Sequence, residues 1–506
     1  MNSMRSAGDS AGLSILVASS EALPLAKTGG LADVATGLSV ALRALGHDAR
    51  LIIPAYPCAL RRARELKPIR ELYLPGVVGS LQLLSSRLPE HDLPVYLVDA
   101  PDYFRREGNP YLDLSGRDWG DNAERFFLFA RVIAALALGL PAFDWRPQVL
   151  HCHDWQTGLA PVLLRDRDDR PAIVFTIHNL VYQGLFDRAV FDRLGLPPTL
   201  WSVTGLEFHQ RMSFLKGGIV FSDLINTVSP NHAEEVRTSA HGCGLDGLLR
   251  QASGRFTGIL NGIDYSLWDP RHDPVLPQPY DRASVHLKAE NKLELQRHFG
   301  LPRDERLFVL AHAGRLVEYK GTDLLLDTLP ALLEDGQTQI VVEGTGTREL
   351  ERRWREMAVV YPDQVGVFIG HDEARAHLLA AGSDACLMPS RFEPCGLQQM
   401  YGLRYGTVPI ARRTGGLADT IVDCMPDTLA AGTATGFLFD EATADALLVR
   451  AQAALALWRE QPAQWRTVVL NGMARDFSWK ASARAYERFY LRALAAREEL
   501  AIAASA

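Results

Sequence analysis

Residues 27–34 read Lys-Thr-Gly-Gly-Leu-Ala-Asp-Val, and residues 413–420 read Arg-Thr-Gly-Gly-Leu-Ala-Asp-Thr. Each copy follows a short apolar run, at residues 15–18 or 408–411, and precedes a helical apolar pattern. A basic residue, a hydroxyl and two glycines at a strand-to-helix turn suit an oxyanion, because glycine lets the backbone approach closely and a helix N-terminus favours negative charge. The repeat predicts two α/β domains that present similar turns to a shared cleft.

Apolar runs typical of buried strands alternate with helical patterns in two series. The first series comprises residues 15–18, 49–53, 95–98, 149–151, 173–176, 224–228 and 256–260. The second comprises residues 307–311, 339–342, 365–368, 385–388 and 408–411. Strands separated by helical stretches favour a parallel sheet covered on both faces. The fold class is therefore predicted to be α/β, with a doubly wound sheet in each half.

A proline-rich segment separates the two series. Residues 269–280 contain four prolines within ten residues, which neither a helix nor a central strand accommodates. We therefore predict the following organisation: a disordered N-terminus at 1–11, a first domain at 12–268, a hinge at 269–281, a second domain at 282–480 and a C-terminal helix at 481–506.

The bulk composition is that of a soluble globular protein, with 47% apolar and 22% charged residues in 506. A net charge of −7 argues against a general nucleic-acid binder. Six cysteines without CxxC spacing favour reduced thiols in the cytoplasm over disulfides or a zinc site. Residues 13–18 fit a buried strand better than a signal peptide, and residues 132–140 are too few to span a bilayer, so a buried helix is predicted there.

Two predicted strands of the first half end in polar side chains. His151 to Trp155 offer metal-ligand types, but successive residues of a strand point to opposite faces, which disfavours a metal site. We favour a strand end that places His153, Asp154 and Trp155 in a cleft, because ligands bind at the carboxyl ends of strands in open α/β sheets. His178 follows a second strand end of the same kind, although a lone histidine is usually structural.

Three loops of the second half also carry candidate binding groups. Residues 341–349 resemble a dinucleotide fingerprint but lack its third glycine, so a turn near a phosphate or sugar is favoured over NAD binding. Arg315 and Lys320 flank a loop before a helix, which suits a diphosphate; the alternative is a solvated loop. Glu393 and the amides after it suit sugar hydroxyls. Cys395 as a nucleophile is disfavoured, because no histidine is near it in sequence.

These segments together resemble one family. The carrying motifs are residues 20–34, 153–157, 176–180, 228–230, 260–264, 314–316, 320–321, 390–397 and 405–419. In this order, over about residues 13–495, they are similar to the bacterial glycogen synthase and plant starch synthase family. The resemblance implies retaining glucosyltransferases of the GT-B fold, with two Rossmann-like doubly wound domains facing a deep interdomain cleft. It also implies that the C-terminal helix crosses back to the first domain.

The resemblance implies roles for individual residues. Lys27, Arg315 and Lys320 would hold the donor's diphosphate, and Glu393 would lie near the glucosyl hydroxyls. As catalytic residues it implies Glu393, His178, Asp154, Lys320 and Arg315, and as substrate-binding residues Lys27, Thr28, Gly29, Gly30, Asp33, Asn179, Asn261, Gly314, His371, Cys395, Gly396, Leu397, Thr414, Gly415 and Gly416. Neither a metal nor another cofactor is implied, because lysine and arginine would take the place of a cation on the diphosphate.

The implied reaction transfers glucose to the non-reducing 4-hydroxyl of an α-1,4-glucan such as glycogen. ADP-glucose is the expected donor and UDP-glucose the alternative. No nucleic acid or membrane partner is implied, and the protein would be a monomer or a homo-oligomer. A glucan phosphorylase would need a pyridoxal phosphate lysine and a longer chain, and an inactive glucan-binding protein would have lost the charged residues that this chain keeps.

Retention by double displacement would need a carboxylate nucleophile about 5 Å from a second acid. The sequence shows no obvious pair of this kind, so front-face attack is the working hypothesis. Some positions depart from the family pattern. His371 stands where bacterial members often have a tyrosine over the nucleotide base, Gln398 replaces a common threonine, and Ser39 replaces a common proline. Tyr401 stands where other related transferases place a second glutamate on ribose, a substitution that this family shares.

Overall fold

The computed structural model describes residues 12–141 and 143–505, so the predicted disordered segment at residues 1–11 lies outside the described chain. The chain forms two compact units. The first holds the described residues up to Val228, Ala233–Gly262 and the chain from Trp479, and the second holds Ser229–His232 and Ile263–Ser478.

The first unit is built on a mainly parallel sheet. Its strands are β1 (Ser14–Ala18), β2 (Asp48–Pro54), β3 (Arg64–Glu71), β4 (Gln82–Arg87), β5 (Pro94–Asp99), β6 (Val149–His153), β7 (Ala172–Ile177), β8 (Leu185–Asp187), β9 (Glu207–Phe208), β10 (Arg211–Ser213), β11 (Leu224–Thr227) and β12 (Phe256–Gly258). Within the described residues the large sheet runs β12-β11-β7-β6-β1-β2-β5-β4-β3, and β8-β10-β9 form a small antiparallel sheet. β6 and β7 are buried along their whole length, as expected of central parallel strands covered on both faces.

Helices alternate with these strands along the chain. They are α1 (Gly30–Ala44), α2 (Pro57–Arg62), α3 (Pro101–Phe104), α4 (Asn122–Leu138), α5 (Leu159–Leu164), α6 (Arg188–Arg193), α7 (Phe214–Phe221), α8 (Pro230–Glu235) and α9 (Asp246–Gln251). α1 buries Leu31, Ala35, Leu38 and Leu42, which share one helical face. The buried helix predicted around residues 132–140 is confirmed, because Val132 to Ala137 form the buried end of α4.

The second unit contains a parallel sheet of β13 (Phe308–Ala313), β14 (Thr338–Gly344), β15 (Val365–Ile369), β16 (Ala385–Met388), β17 (Val408–Arg412) and β18 (Phe437–Phe439). The order is β15-β14-β13-β16-β17-β18, and every described pairing is parallel. Renumbered from β13, this is the 3-2-1-4-5-6 order of a Rossmann fold. The topological switch therefore lies between β13 and β16, where such folds bind ligands.

Helices α10 (Lys288–His298), α11 (Thr322–Leu333), α12 (Arg348–Val360), α13 (Glu373–Gly382), α14 (Gln398–Tyr405), α15 (Gly415–Thr420), α16 (Pro426–Ala430), α17 (Ala444–Glu460) and α18 (Pro462–Met473) complete the second unit. Two of these helices begin after loops that follow neighbouring strands of the sheet. α11 begins after the loop that follows β13, and α14 begins after the loop that follows β16. Those two loops carry most of the candidate residues of this unit.

The proline-rich segment is packed into the second unit. The Tyr280 hydroxyl donates to the carbonyl of Tyr405 at 2.6 Å, and Asp273 accepts from the Tyr405 hydroxyl at 2.6 Å. Apart from the short segment Ser229–His232, the chain passes between the units at Gly262/Ile263 and at Ser478/Trp479, before and after the proline-rich segment. A hinge motion of residues 269–281 stays a prediction, but the boundaries of the compact units lie elsewhere.

The last helix, α19 (Trp479–Ser505), belongs to the first unit. Its Tyr490 hydroxyl lies 2.9 Å from Nδ1 of His151, and its Tyr486 hydroxyl accepts from Nδ2 of Asn226 at 3.0 Å. Trp479 packs so closely on α1 that a methyl group at Gly37 would overlap the indole ring. Among the described residues, no helix combines the length and apolarity needed to cross a lipid bilayer.

Candidate active site

The first glycine turn connects β1 to α1 and is held by a buried carboxyl group. Glu21 is 2% exposed; its Oε1 accepts from the Thr28 hydroxyl at 2.6 Å, and its Oε2 accepts from the Thr28 backbone N–H. The Tyr111 hydroxyl also donates to Glu21, and burial raises the pKa of the carboxyl. Sequence reasoning did not single out Glu21, which fixes the shape of the predicted anion turn.

Lys27, Gly29, Gly30 and Asp33 form the accessible side of this turn. The Lys27 ammonium lies 3.0 Å from Oδ1 of Asp33, and both side chains are partly exposed. Gly29 is the extended residue before α1, and a methyl group there would meet no atom within 4 Å. Packing does not require this glycine, so the space beside it is open to a ligand. Gly30 is the first residue of α1, where free backbone N–H groups favour an anion.

The ends of β6 and β7 bring Asp154 and His178 together. Asp154 Oδ1 accepts from the backbone N–H of His178 at 2.7 Å, and His153 Nδ1 lies 2.8 Å from His178 Nε2. Asp154 has φ 57° and ψ 180°, a conformation that costs of order 1–3 kcal/mol for a residue with a side chain. Such strain at a strand end is typical of functional sites.

Burial sets the charge state of this strand-end cluster. It lowers the pKa of His178 to about 3, and it raises the pKa of Asp154 to about 7. His178 is therefore neutral at physiological pH, and Asp154 can change its charge there. The rings of His151 and His153 lie 4.0 Å apart, yet no set of three His, Cys, Asp or Glu side chains in the described chain has metal-binding geometry.

Two asparagines of the first unit were also predicted to bind substrate. Asn179 directly follows His178, and its Oδ1 accepts from the backbone N–H of Val181 at 3.0 Å. Asn261 follows β12; it is buried, and its Oδ1 has no hydrogen-bond partner within the described residues. A buried amide oxygen left in this state can accept a hydrogen bond from a ligand hydroxyl.

In the second unit the structure pairs Lys320 with Glu393. Lys320 follows β13, Glu393 follows β16, and Lys320 Nζ lies 2.5 Å from Glu393 Oε2. The Ser390 hydroxyl donates to the same oxygen at 2.9 Å, and Glu393 is 6% exposed. The pair lies at the carboxyl ends of β13 and β16, which are the strands at the topological switch. This is where the Rossmann topology places a ligand.

Backbone packing holds together the two loops that carry this ion pair. Gly321 has φ 70°, and a methyl group there would overlap the carbonyl oxygen of Pro389, so the loop requires glycine. His312 Nδ1 lies 2.9 Å from the carbonyl oxygen of Leu387. Burial lowers the pKa of His312 to about 4, and the charges of Lys320 and Glu393 act on it in opposite directions. Sequence reasoning missed His312 because it lies inside an apolar strand.

The second glycine turn packs against the backbone that carries Glu393. The N–H of Gly416 donates to the carbonyl oxygen of Glu393 at 3.2 Å. A methyl group would overlap the Glu393 carbonyl from Gly415, which has φ 44°, and the Cys395 carbonyl from Gly416. Thr414 is the buried residue before α15. The two glycines are therefore needed for backbone packing here, unlike Gly29.

The remaining predicted residues of the second unit follow the strands β13, β15 and β16. Gly314 has φ 145°, and the Arg315 guanidinium lies 5.3 Å from the centre of the Tyr319 ring. Cys395 is buried, Gly396 has φ 70°, and Leu397 is the residue before α14. His371 follows β15 and is 72% exposed at its side chain. Tyr401, on α14, is stacked on Trp268 at 3.8 Å between ring centroids.

Comparisons with known proteins identify the family. A model described as the starch synthase catalytic domain matches residues 14–251, and one described as glycosyl transferases group 1 matches residues 295–467. Glycogen synthase 2 of Nitrosococcus oceani is 53% identical over 476 residues, which cover 94% of this chain and 96% of that protein. Glycogen synthase 1 of Methylococcus capsulatus is 52% identical over 483 residues, covering 96% and 97%. The chain belongs to the glycogen and starch synthase family.

A solved member of this family supports the same fold. The catalytic domain of starch synthase IV from Arabidopsis thaliana, bound to ADP and acarbose, has a TM-score of 0.87 and 33% identity, covering 96% of this chain and 100% of that one. The predicted family and the GT-B fold class, with two Rossmann-like domains, are thus confirmed.

For this glycogen and starch synthase family member, the predicted site residues form local groups. In the first unit these are the Lys27 turn and the Asp154–His178 cluster. In the second unit Lys320 and Glu393 pair, with the Gly415 turn packed on the Glu393 backbone. The functional roles of all these residues stay predictions.

Proposed function

We propose that this protein transfers glucose from ADP-glucose to the non-reducing 4-hydroxyl of an α-1,4-glucan, with retention of configuration. The relatives are named glycogen synthases, and the starch synthase structure holds ADP and acarbose. The observation that carries the proposal is the Lys320–Glu393 ion pair at the switch point of the second unit. All six cysteines are free in the structure, which fits a cytoplasmic enzyme.

In this proposal the second unit binds the donor. Arg315 and Lys320 supply positive charge for the diphosphate, and stabilise the negative charge that develops on it as the glycosidic bond breaks. Glu393 accepts hydrogen bonds from glucosyl hydroxyls. Its own charge is balanced by Lys320 at 2.5 Å, so it orients the sugar without adding an unpaired charge.

The first unit contributes a neutral imidazole and a carboxyl group of unusual pKa. His178 is uncharged because burial lowers its pKa to about 3, so it offers hydrogen bonds to sugar hydroxyls without a positive charge. Asp154 is held beside it by the His178 N–H. Lys27 supplies a further cation for the donor, from the open side of the Gly29 turn.

We infer that retention proceeds by front-face attack. Two observations disfavour a carboxylate nucleophile: Lys320 and Ser390 hold Oε2 of Glu393, and Asp154, whose pKa burial raises to about 7, is partly protonated at neutral pH. The departing diphosphate oxygen takes the proton of the acceptor 4-hydroxyl, while that hydroxyl oxygen forms the new bond to the glucosyl carbon. Trapping of a covalent glucosyl group on either carboxylate, detected by mass spectrometry, would contradict this route.

The activity is tested by incubating the protein with glycogen and either ADP-glucose or UDP-glucose. Release of nucleoside diphosphate and growth of the glucan are measured. We expect release with ADP-glucose and slower release with UDP-glucose. No release with either donor would overturn the proposed function, whereas faster release with UDP-glucose would overturn only the choice of donor.

A further inference from the structure

Glu343 is a buried carboxyl group to which the proposed reaction gives no role. It lies near the end of β14, after the apolar residues Ile340 to Val342, and is 2% exposed. Its Oε1 accepts from the backbone N–H of Asp372 at 2.7 Å, and its Oε2 has no partner within the part of the chain that the structure describes. Burial raises the pKa of Glu343 to about 7.

The groups that face Glu343 are polar and partly unsatisfied. His371 Nδ1 lies 3.9 Å from Glu343 Oε1, and the charges of Asp372 and Arg375 act on the carboxyl in opposite directions. The Arg375 guanidinium lies 3.6 Å from the centre of the Phe368 ring, and two of its nitrogens have no hydrogen-bond partner among the described residues. Buried polar atoms are normally paired, so this cluster fits a ligand that donates a hydrogen bond to Glu343 and accepts one from Arg375.

The sheet places this cluster in line with the donor groups. Glu393 follows β16, Lys320 follows β13, Glu343 is the penultimate residue of β14, and His371 follows β15. These strands are neighbours in the order β16-β13-β14-β15. Three strand spacings amount to about 14 Å along the carboxyl edge. A nucleoside diphosphate sugar has the same order of parts: a sugar, a diphosphate and then a base. The base would therefore lie over β14 and β15.

We infer that Glu343 reads the nucleobase of the donor, with its unpaired Oε2 accepting a hydrogen bond from the exocyclic amino group of adenine. The inference rests on the proposed function. Adenine presents an N6 amino donor where a 4-oxopyrimidine such as uracil presents an oxygen acceptor. An ionised carboxylate can only accept, so it favours adenine and repels that oxygen. Once protonated at Oε2, the carboxyl can donate to the oxygen and the discrimination weakens.

This assignment predicts a donor preference that changes with pH. Because the pKa of Glu343 is about 7, the carboxyl is mostly protonated at pH 6 and mostly ionised at pH 8. The ratio of kcat/KM for ADP-glucose to kcat/KM for UDP-glucose should therefore rise by about tenfold between these pH values. The ratio cancels the pH dependence of groups that serve both donors equally.

The test compares wild type with Glu343→Gln, Glu343→Leu and Glu373→Gln at pH 6 and pH 8. Both substitutions at Glu343 should remove the pH dependence of the ratio, and should lower the ratio at pH 8 by about tenfold. Glu373 is an exposed glutamate at the start of the neighbouring α13, so Glu373→Gln should keep the wild-type ratio and its pH dependence. The thermal unfolding temperature of each variant shows whether it is folded.

The possible results distinguish a failure of this inference from a failure of the proposed glucosyl transfer. Absence of turnover by wild type with both donors contradicts the proposed function. An active wild type whose ratio is flat between pH 6 and pH 8 contradicts the inference, and this arm needs no variant to fold. A folded Glu343→Gln that keeps the wild-type ratio at both pH values also contradicts it.

Discussion

The Tyr490 hydroxyl on α19 lies 2.9 Å from Nδ1 of His151, in the central strand β6. The Thr176 hydroxyl donates to Oδ1 of Asn226 at 2.7 Å, so its oxygen accepts from Nε2–H of His151 at 2.6 Å. Nδ1 of the neutral imidazole is then an acceptor, and Tyr490 is its donor. Helix α19 thus completes a buried polar chain that begins in the sheet.

Tyr490→Phe should destabilise the protein, because it leaves Nδ1 of His151 buried without a donor. We expect the free energy of unfolding to fall by about 1–3 kcal/mol, measured by urea denaturation. Tyr73→Phe is the matched control, since Tyr73 is 85% exposed and should change stability little. Equal stability of the two variants would contradict the network.

Glu393→Gln should abolish most activity while the fold is kept. The neutral amide cannot balance Lys320, and a lost preorganised charge of this kind costs about 100- to 1000-fold in kcat. The measurement is nucleoside diphosphate release with glycogen as acceptor. Glu349→Gln, in the exposed Arg352–Glu349 pair, is the control and should behave as wild type. Wild-type kcat in Glu393→Gln would remove Glu393 from the mechanism.

The two glycine turns should respond differently to alanine. Gly416→Ala forces a methyl group into the carbonyl of Cys395, so the free energy of unfolding should fall by about 1–3 kcal/mol. Gly29→Ala meets no atom and should change stability by less than about 0.5 kcal/mol, yet it should raise the donor KM, because the methyl group fills the open space beside this turn. Chemical denaturation and donor KM separate the two effects. A stability loss in Gly29→Ala as large as that in Gly416→Ala would contradict the distinction.

Asp154 should make stability fall as the pH rises from about 4 to about 7. Burial raises its pKa to about 7 from a usual value of 3.8, so in this window the unfolded chain is ionised while the folded protein still holds the proton. Below the window the carboxyl is protonated in both states, and above it the carboxyl is ionised in both.

Asp154→Asn keeps an acceptor for the His178 N–H and removes the ionisation. The stability of Asp154→Asn relative to wild type should therefore increase between pH 4 and pH 8, as measured by denaturation at both pH values. Asp166→Asn, at an exposed position, is the control and should show a constant difference. A constant difference for Asp154→Asn as well would mean that its pKa is not raised.

Most of the fold could be predicted because parallel strands buried on both faces are continuous apolar runs. β3 and β4 were not predicted: β3 reads Arg-Glu-Leu-Lys-Pro-Ile-Arg-Glu, with the charges and proline typical of an exposed edge strand. The strands of the β8-β10-β9 sheet are only two or three residues long, too short for a periodic signal. The periodicity of apolar residues thus predicted the buried central strands, and it missed the edge strands β3 and β4 and the small antiparallel sheet.

The candidate site was predictable where a polar residue directly follows an apolar strand, as with Asp154, His178 and Glu393. Its pairings were not, because Lys320 and Glu393 are 73 residues apart and only the sheet order brings them together. Glu343 lies in residues 341–349, whose pattern indicates a turn near a phosphate or sugar but no role for this carboxyl group. The burial of Glu343 and its unpaired Oε2 depend on tertiary packing, so they could not be predicted from the neighbouring sequence.

The assignment of α19 to the first unit has a consequence for biosynthesis. A ribosome makes the strands β1 to β12 first, then residues 263–478, which hold nearly all of the second unit, and only then Tyr486 and Tyr490. Until those tyrosines emerge, His151 and Asn226 lack their last partners, so the earliest-made half of the protein is the last to be completed. More than two hundred residues, from Ile263 to Ser478, are translated between the strands of the first unit and α19. During that time the sheet of the first unit lacks the helix that packs against it.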